Sequence, residues 1–210
     1  MEDPFIDACS HGRIQEVQRL LSNVNIGILH CGLFETCIHG HVEILKLLLK
    51  DERVNVNQVK ICDETPFFIA CDNGQIEIVK LLLNDKRVNI NTPNIFLCTF
   101  LHNLCWKGQI DILEHILSTG RDINLRAKEK NGKTAIDIAR EGGYKEKEDW
   151  EDEESFQRRI KNCPKIVELL ESFETNPIET RIKLRINLGF ASNLFSFLFF
   201  SFYFIILHQG

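Results

Sequence analysis

Two twelve-residue stretches of the chain nearly copy each other: KLLLKDERVNVN from Lys46 to Asn57, and KLLLNDKRVNIN from Lys80 to Asn91, 34 residues apart. A repeat of this period constrains the fold more than any other feature. Each unit is one supersecondary element that cannot bury its apolar face alone, so neighbours must stack. The same register continues in both directions, with units beginning at Asp3, Cys31, Thr65, Thr99 and Thr134. Their matching glycines are Gly12, Gly40, Gly74, Gly108 and Gly143, spaced by 28, 34, 34 and 35 residues.

Local chemistry gives each unit its shape. Pro66 suits the first turn of a helix, where its missing N–H costs nothing. Gly74 and its equivalents suit a helix end that needs a left-handed residue. Ile78, Val79, Leu81, Leu82 and Leu83 form an apolar face too wide for a lone helix, so the next unit must cover it. The segment TPFFIACDNGQIEIVKLLL, from Thr65 to Leu83, resembles the ankyrin repeat, T-P-L-H-x-A-A-x-x-G-H-x-x-I-V-x-L-L-L-x-x-G-A-D-V-N. The fourth unit keeps Thr99, Leu101, His102 and Gly108 of that pattern. The resemblance covers residues 3–174 and implies an all-α repeat solenoid of helix–turn–helix units with projecting β-hairpin loops. The units fall near 3–30, 31–64, 65–98, 99–133 and 134–174, within one domain spanning 1–174.

Departures from the pattern are informative. Gly12 to Asn25 is 13 residues, whereas Gly40 to Asn57 and Gly74 to Asn91 are 17 each, so the first unit has a clipped second helix or loop, as an amino-terminal cap would. The fifth unit is interrupted by a charged insertion at 145–163. From Lys145 to Arg159 it holds seven acids and four bases, and reads either as an extension of the first helix or as an exposed, solvated loop. Pro164 is expected to reopen the last helix, the carboxy-terminal cap. Residues 175–189 read as a basic polar linker.

Beyond Arg185 no Asp, Glu, Lys or Arg occurs, and seven of the 15 Phe lie between Phe190 and Phe204. This apolar aromatic tail, 190–210, admits three readings: a membrane anchor through 190–207, a misassigned gene end, or a tail packed on the domain. As a helix its 18 apolar residues would just approach the spanning length, with Arg181, Lys183 and Arg185 flanking the cytoplasmic side.

Composition excludes several functions. With 25 basic against 30 acidic residues and no basic run, the chain is not expected to bind nucleic acid. Eight cysteines do not imply a disulfide scaffold in a chain this long, so a reducing, cytoplasmic setting is expected. His30, Cys31, Cys37, His39 and His41 cluster within twelve residues, yet no C-x-x-C pair frames a zinc site. Cys9, Cys37, Cys71 and Cys105 share one register position, where the resembled family places alanine on a packed helix face. No glycine-rich phosphate loop, G-x-S-x-G or H-E-x-x-H is present. The expectation is no enzyme, no cofactor, no metal and no small-molecule substrate.

Binding remains. In the resembled family, partners dock on the concave surface formed by the hairpin tips and the first helices. The positions just before each helix-ending glycine are Ile38 and His39, Asp72 and Asn73, and Trp106 and Lys107. The hairpins add Val59, Ile61, Ile95 and Phe96. Trp106 is the sharpest candidate, since Trp is enriched at interface hot spots. Ile95 and Phe96 form an apolar patch, unless their diverged hairpin, with Leu97 in place of the turn glycine, folds onto its neighbour. The resemblance thus implies a non-catalytic adaptor or scaffold binding another protein. The alternatives are an adaptor tethered to a membrane by the tail, and a regulatory fragment lacking its effector domain.

Overall fold

The computed structural model describes residues 3–149 and 151–190. Among them the chain forms eleven α-helices, two short 3-10 helices (Leu21–Asn23 and Ile61–Asp63) and no strand: α1 (Pro4–Ser10), α2 (Ile14–Leu20), α3 (Ile26–His39), α4 (Val42–Leu48), α5 (Pro66–Asp72), α6 (Ile76–Asn84), α7 (Phe100–Lys107), α8 (Ile110–Ser118), α9 (Ala135–Gly142), α10 (Glu153–Thr175) and α11 (Pro177–Asn187). The first helices α1, α3, α5, α7 and α9 pack in one row, and α2, α4, α6 and α8 in a second that α10 continues. This is the expected all-helical solenoid. The hairpins carry no strands among the described residues, only an isolated bridge between Lys128 and Thr134. Each loop closes with few bonds of its own and spends other backbone groups on the neighbouring loop.

Helix boundaries follow their caps. Thr65 Oγ1 accepts the Phe68 N–H at 3.1 Å with Pro66 at the first turn, and Thr134 and Asp137 form a reciprocal capping box. Gly40 and Gly108 end α3 and α7 in the left-handed conformation. Gly143 does not: its φ is −68°, because the chain turns into the insertion there.

Between units, polar side chains reach backbone groups of the neighbouring unit. The residues after Gly40 and Gly74 reach back to the preceding first helix: His41 donates to the Ser10 carbonyl at 2.8 Å, and Gln75 to that of Ile38 at 2.9 Å. The copied R-V-N-x-N segments do the same in the loops. Asn57 donates to the Arg87 carbonyl and accepts the Asn89 N–H, both at 2.7 Å; Asn91 repeats this with Asp122 and Asn124. Arg53 and Arg87 bond the carbonyls of Leu21 and Leu49 at 2.8 and 3.0 Å. Each bridge pairs a backbone group of one unit with a side chain of its neighbour, which keeps the near-copy in register.

The clipped first unit loses its loop, not its helix, since α2 and α4 are each seven residues long. Asn25 caps a 14-residue α3 whose added turns replace the first hairpin.

The fifth unit departs most from expectation. Its last helix does not reopen at Pro164; Asp152 caps it, accepting the Ser155 N–H at 2.7 Å, and Pro164 lies inside α10. Proline removes one helical bond and crowds the preceding turn, but α10 continues because Cys163, Ile166, Leu170 and Phe173 bury against the stack. The insertion is not simply solvated either. Arg159 is fully buried and paired with buried Glu151 at 2.7 Å, while Asp152, Glu153 and Glu154 stay exposed. Close approach of α10 requires Gly108: a Cβ there would lie 2.8 Å from the Arg159 Cα.

Residues 175–189 are no linker. Most form α11, which packs on α8 and α10 and buries Thr180 and Leu184. Arg181 and Arg185 donate to the carbonyls of Leu117 and Ser118, at 3.2 and 3.4 Å, completing the end of α8. They therefore cap a helix rather than stand free beside the tail. The tail beyond Phe190 lies outside the described residues. Among those described, no helix is long and apolar enough to cross a membrane.

Candidate partner-binding groove

The hairpin tips share one construction. Asn94 N–H bonds the Cys98 carbonyl at 2.9 Å, and Glu129 N–H the Lys133 carbonyl at 3.0 Å. Inside each turn the side chain at the same position accepts two backbone N–H groups. The Asn94 amide oxygen takes those of Phe96 and Cys98; the Glu129 carboxylate takes those of Asn131 and Lys133. Neighbouring tips are tied together, Ile95 N–H to Cys62 O and Lys130 N–H to Phe96 O, both 3.0 Å. The diverged hairpin thus stands in line with its neighbours. Ile95, Phe96 and Leu97 are 43, 49 and 50% exposed, and Ile61 on the preceding tip is 81% exposed. Together with Val59 they form an apolar crest held by backbone bonds.

Leu97 has φ +59° where the next tip has Gly132 at +83°. An L-residue pays a steric cost in this region that glycine avoids. Leu97→Gly is expected to raise stability by about 0.5–1 kcal/mol after glycine's larger unfolded-state entropy is subtracted. A urea midpoint that falls instead would show that the Leu97 side chain contributes packing.

Below the crest the first-helix row opens into a cavity of about 410 Å³. Asp72 and Trp106 line it, joined by Glu64, Phe68, Asn94, His102, Glu129, Lys133, Glu141 and Lys145. Of the residues expected from the sequence, Ile95 and Phe96 do not line it but belong to the tip whose Asn94 and Cys98 do, and Lys107 is ion-paired to Asp72 on its rim. Asp72 also accepts from Asn103 Nδ2 at 2.6 Å. Asn73 is exposed and donates to the Ile69 carbonyl at 2.9 Å. Ile38 and His39 belong to the second unit and do not line this cavity. Ile38 packs partly into the core, while His39 is exposed, its Nε2 3.6 Å from Glu35.

Trp106 is not the open surface residue that its register implied. It is half-buried, with Arg159 and Lys145 of the insertion at 5.4 and 4.9 Å from its ring centre. These cations cover the indole and add cation–π attraction. Sequence reasoning missed Glu64, Phe68, Glu129 and Lys133. Only the position of Glu129 just before Asn131-Gly132 hinted at a structured turn.

The titratable groups explain their own states. Burial raises the Cys9 and Cys37 thiols to about 12 and pushes Cys71 and Cys105 up as well. These are packing groups rather than nucleophiles. Burial lowers His102, and both ring nitrogens are used: Nδ1 accepts the Thr99 N–H at 3.1 Å and Nε2 donates to the Lys133 carbonyl at 3.3 Å. Backbone N–H groups of Asn131 and then Lys133 hold Glu129 below the usual carboxylate range, against its desolvation. Glu64 is shifted the other way, by burial first and by neighbouring Asp72 second. Among the described residues, no three His, Cys, Asp or Glu side chains are grouped to hold a metal.

The family model described as ankyrin repeats (3 copies) matches residues 5–94 and, in a second register, 33–127. No curated protein matches the chain. The match covers more than half of the sequence and falls on units whose caps, glycines and inter-unit bridges the structure shows, so the chain belongs to the ankyrin-repeat family.

Proposed function

We propose that the protein is a non-catalytic adaptor that binds another protein through the groove of α5, α7 and α9 and the crest above it. Ankyrin repeats are generally protein–protein interaction modules, and repeat solenoids present extended concave surfaces for this use. One observation carries the reading for this chain: an apolar crest held by tip-to-tip backbone bonds, on a tip whose Asn94 and Cys98 also line an open cavity. Contiguous exposed apolar surface of this kind marks an interaction site. The non-catalytic reading is supported by the packing of Cys37 and Cys105, whose thiols burial raises, and by His102, whose two ring nitrogens are both occupied. A reducing, cytoplasmic location accords with the placement of Cys9, Cys37, Cys71 and Cys105 at packed helix positions.

Placing a photo-crosslinking residue at Phe96, and separately at exposed Glu77 on α6, tests the groove. Adducts with one partner protein are expected from position 96 and not from position 77. Phe96→Ser should lower recovery of that partner at least tenfold while leaving the thermal midpoint unchanged, since the side chain is half exposed. Equal adducts from both positions would overturn the reading. Trp106→Ala is a poor probe, because Arg159 and Lys145 pack on the indole.

A further inference from the structure

Charge in the groove is unevenly cancelled. Four carboxylates line the cavity, Glu64, Asp72, Glu129 and Glu141, against the ammonium groups of Lys133 and Lys145. Asp72 is matched by Lys107, Glu141 by Lys133 at 2.6 Å, and Lys145 is already spent on Glu148. His102 is buried with its ionisation suppressed and adds no charge at neutral pH. The Glu129 charge is held by backbone N–H groups of its own turn. Glu64 differs. No hydrogen bond or ion pair reaches its half-buried carboxylate among the described residues; Lys60 and Lys107 act on it only at longer range, being engaged with Glu35 at 3.3 Å and with Asp72. A partly desolvated carboxylate without a donor is stabilised by whatever cation arrives, because a charge-assisted hydrogen bond is strongest where water is sparse.

We propose, resting on the groove reading above, that the partner presents an extended segment in which an Arg or Lys lies beside a large apolar residue. The cation seats at Glu64, and the apolar side chain lies on Ile95, Phe96 and Leu97. Both subsites sit on consecutive tips joined by the Ile95–Cys62 backbone bond, so they keep a fixed spacing. The cavity, about 410 Å³, is large enough to take a long side chain. The strained φ of Leu97 keeps a large apolar side chain where glycine would sit without cost, as expected where strain serves binding. The chain's own tail does not meet this description, since no Lys or Arg follows Arg185. Phosphate-rich partners are repelled by the same carboxylates.

The test pans a displayed library of random dodecapeptides on the full chain. Selected peptides are then synthesised and their affinities measured for the wild type and for Glu64→Gln and Phe96→Ser. Both variants alter accessible side chains, and unchanged circular dichroism confirms their fold. The expected pool is enriched in Arg or Lys within two positions of Leu, Ile, Met or Phe. Its binding should weaken at least tenfold on Glu64→Gln, on Phe96→Ser, and on replacing the peptide's own basic residue by Gln. Peptides lost on Phe96→Ser but indifferent to Glu64→Gln and to their basic residue would overturn the cation subsite and leave the groove reading standing. A pool indifferent to both protein variants, or no pool at all, would overturn both.

Discussion

Replacing Arg159 by Ala is expected to destabilise the protein by about 3–5 kcal/mol, the usual cost of stranding one partner of a buried ion pair. The guanidinium has no solvent exposure and makes two bonds to Glu151, at 2.9 and 2.7 Å. It also donates to the carbonyls of Gly142, Lys145 and Glu146. One side chain therefore fastens the end of α9, the irregular segment before Asp152 and α10, while its plane faces Trp106 and Phe156. Loss of the side chain leaves the Glu151 carboxylate buried without its cation. Urea denaturation of the wild type, Arg159→Ala and Arg159→Lys measures the effect. Lysine restores the charge but not the planar fork, so it should recover only part of the loss. A decrease below 1 kcal/mol for Arg159→Ala would show that the insertion is held by something else.

The same pair has a pH signature. Hydrogen bonds from Arg159 are the main reason that the Glu151 carboxyl is held below its ordinary range. A carboxyl depressed in the folded state contributes stability that is complete above its unfolded value and is lost as pH falls through its folded value. Stability of the wild type should therefore fall more steeply below the ordinary carboxylate range than that of Glu151→Gln, which has no such proton to bind. Parallel curves from urea midpoints at pH 7 and pH 3 would contradict the assignment.

Leu82→Ala is the second large effect, about 2–5 kcal/mol, because truncating a fully buried leucine removes its transfer energy and leaves a cavity. Leu82 has no exposure, and its helix α6 packs between α4 and α8 while also touching α5. In a solenoid each unit is stabilised mainly by its neighbours, so the loss is shared across the stack. Leu81→Ala is the control: that residue is only partly buried against the core, and the cost should be clearly smaller. Urea denaturation of the three proteins gives the comparison. Equal losses at both positions would show that the apolar face is not oriented as described.

The repeat itself was legible from residues alone, for a physical reason. Thr65, Pro66 and Gly74 act on the backbone within one turn of themselves, and Leu82 repeats with the period that an amphipathic helix requires. Such local signals name the unit and, with the 34-residue offset, its stacking. The copied Asn57 and Asn91 were visible as a pattern, although their purpose, bonding the next loop, appears only when the units are set side by side. Other features had no local signature. Pro164 reads as the start of the last helix because a proline is strong local punctuation. Packing of Cys163, Ile166 and Leu170 across the stack decided otherwise. Arg159 and Glu151 looked like a solvated charge run, and Arg181 and Arg185 like a basic flank, until distant partners were brought to them. Trp106 kept the register position its sequence assigned, yet its exposure was set by an insertion 39 residues later in the chain. Helix caps and apolar periods are properties of neighbours in sequence. Burial of a charge and the cover over an indole are properties of neighbours in space, and only the folded chain determines them.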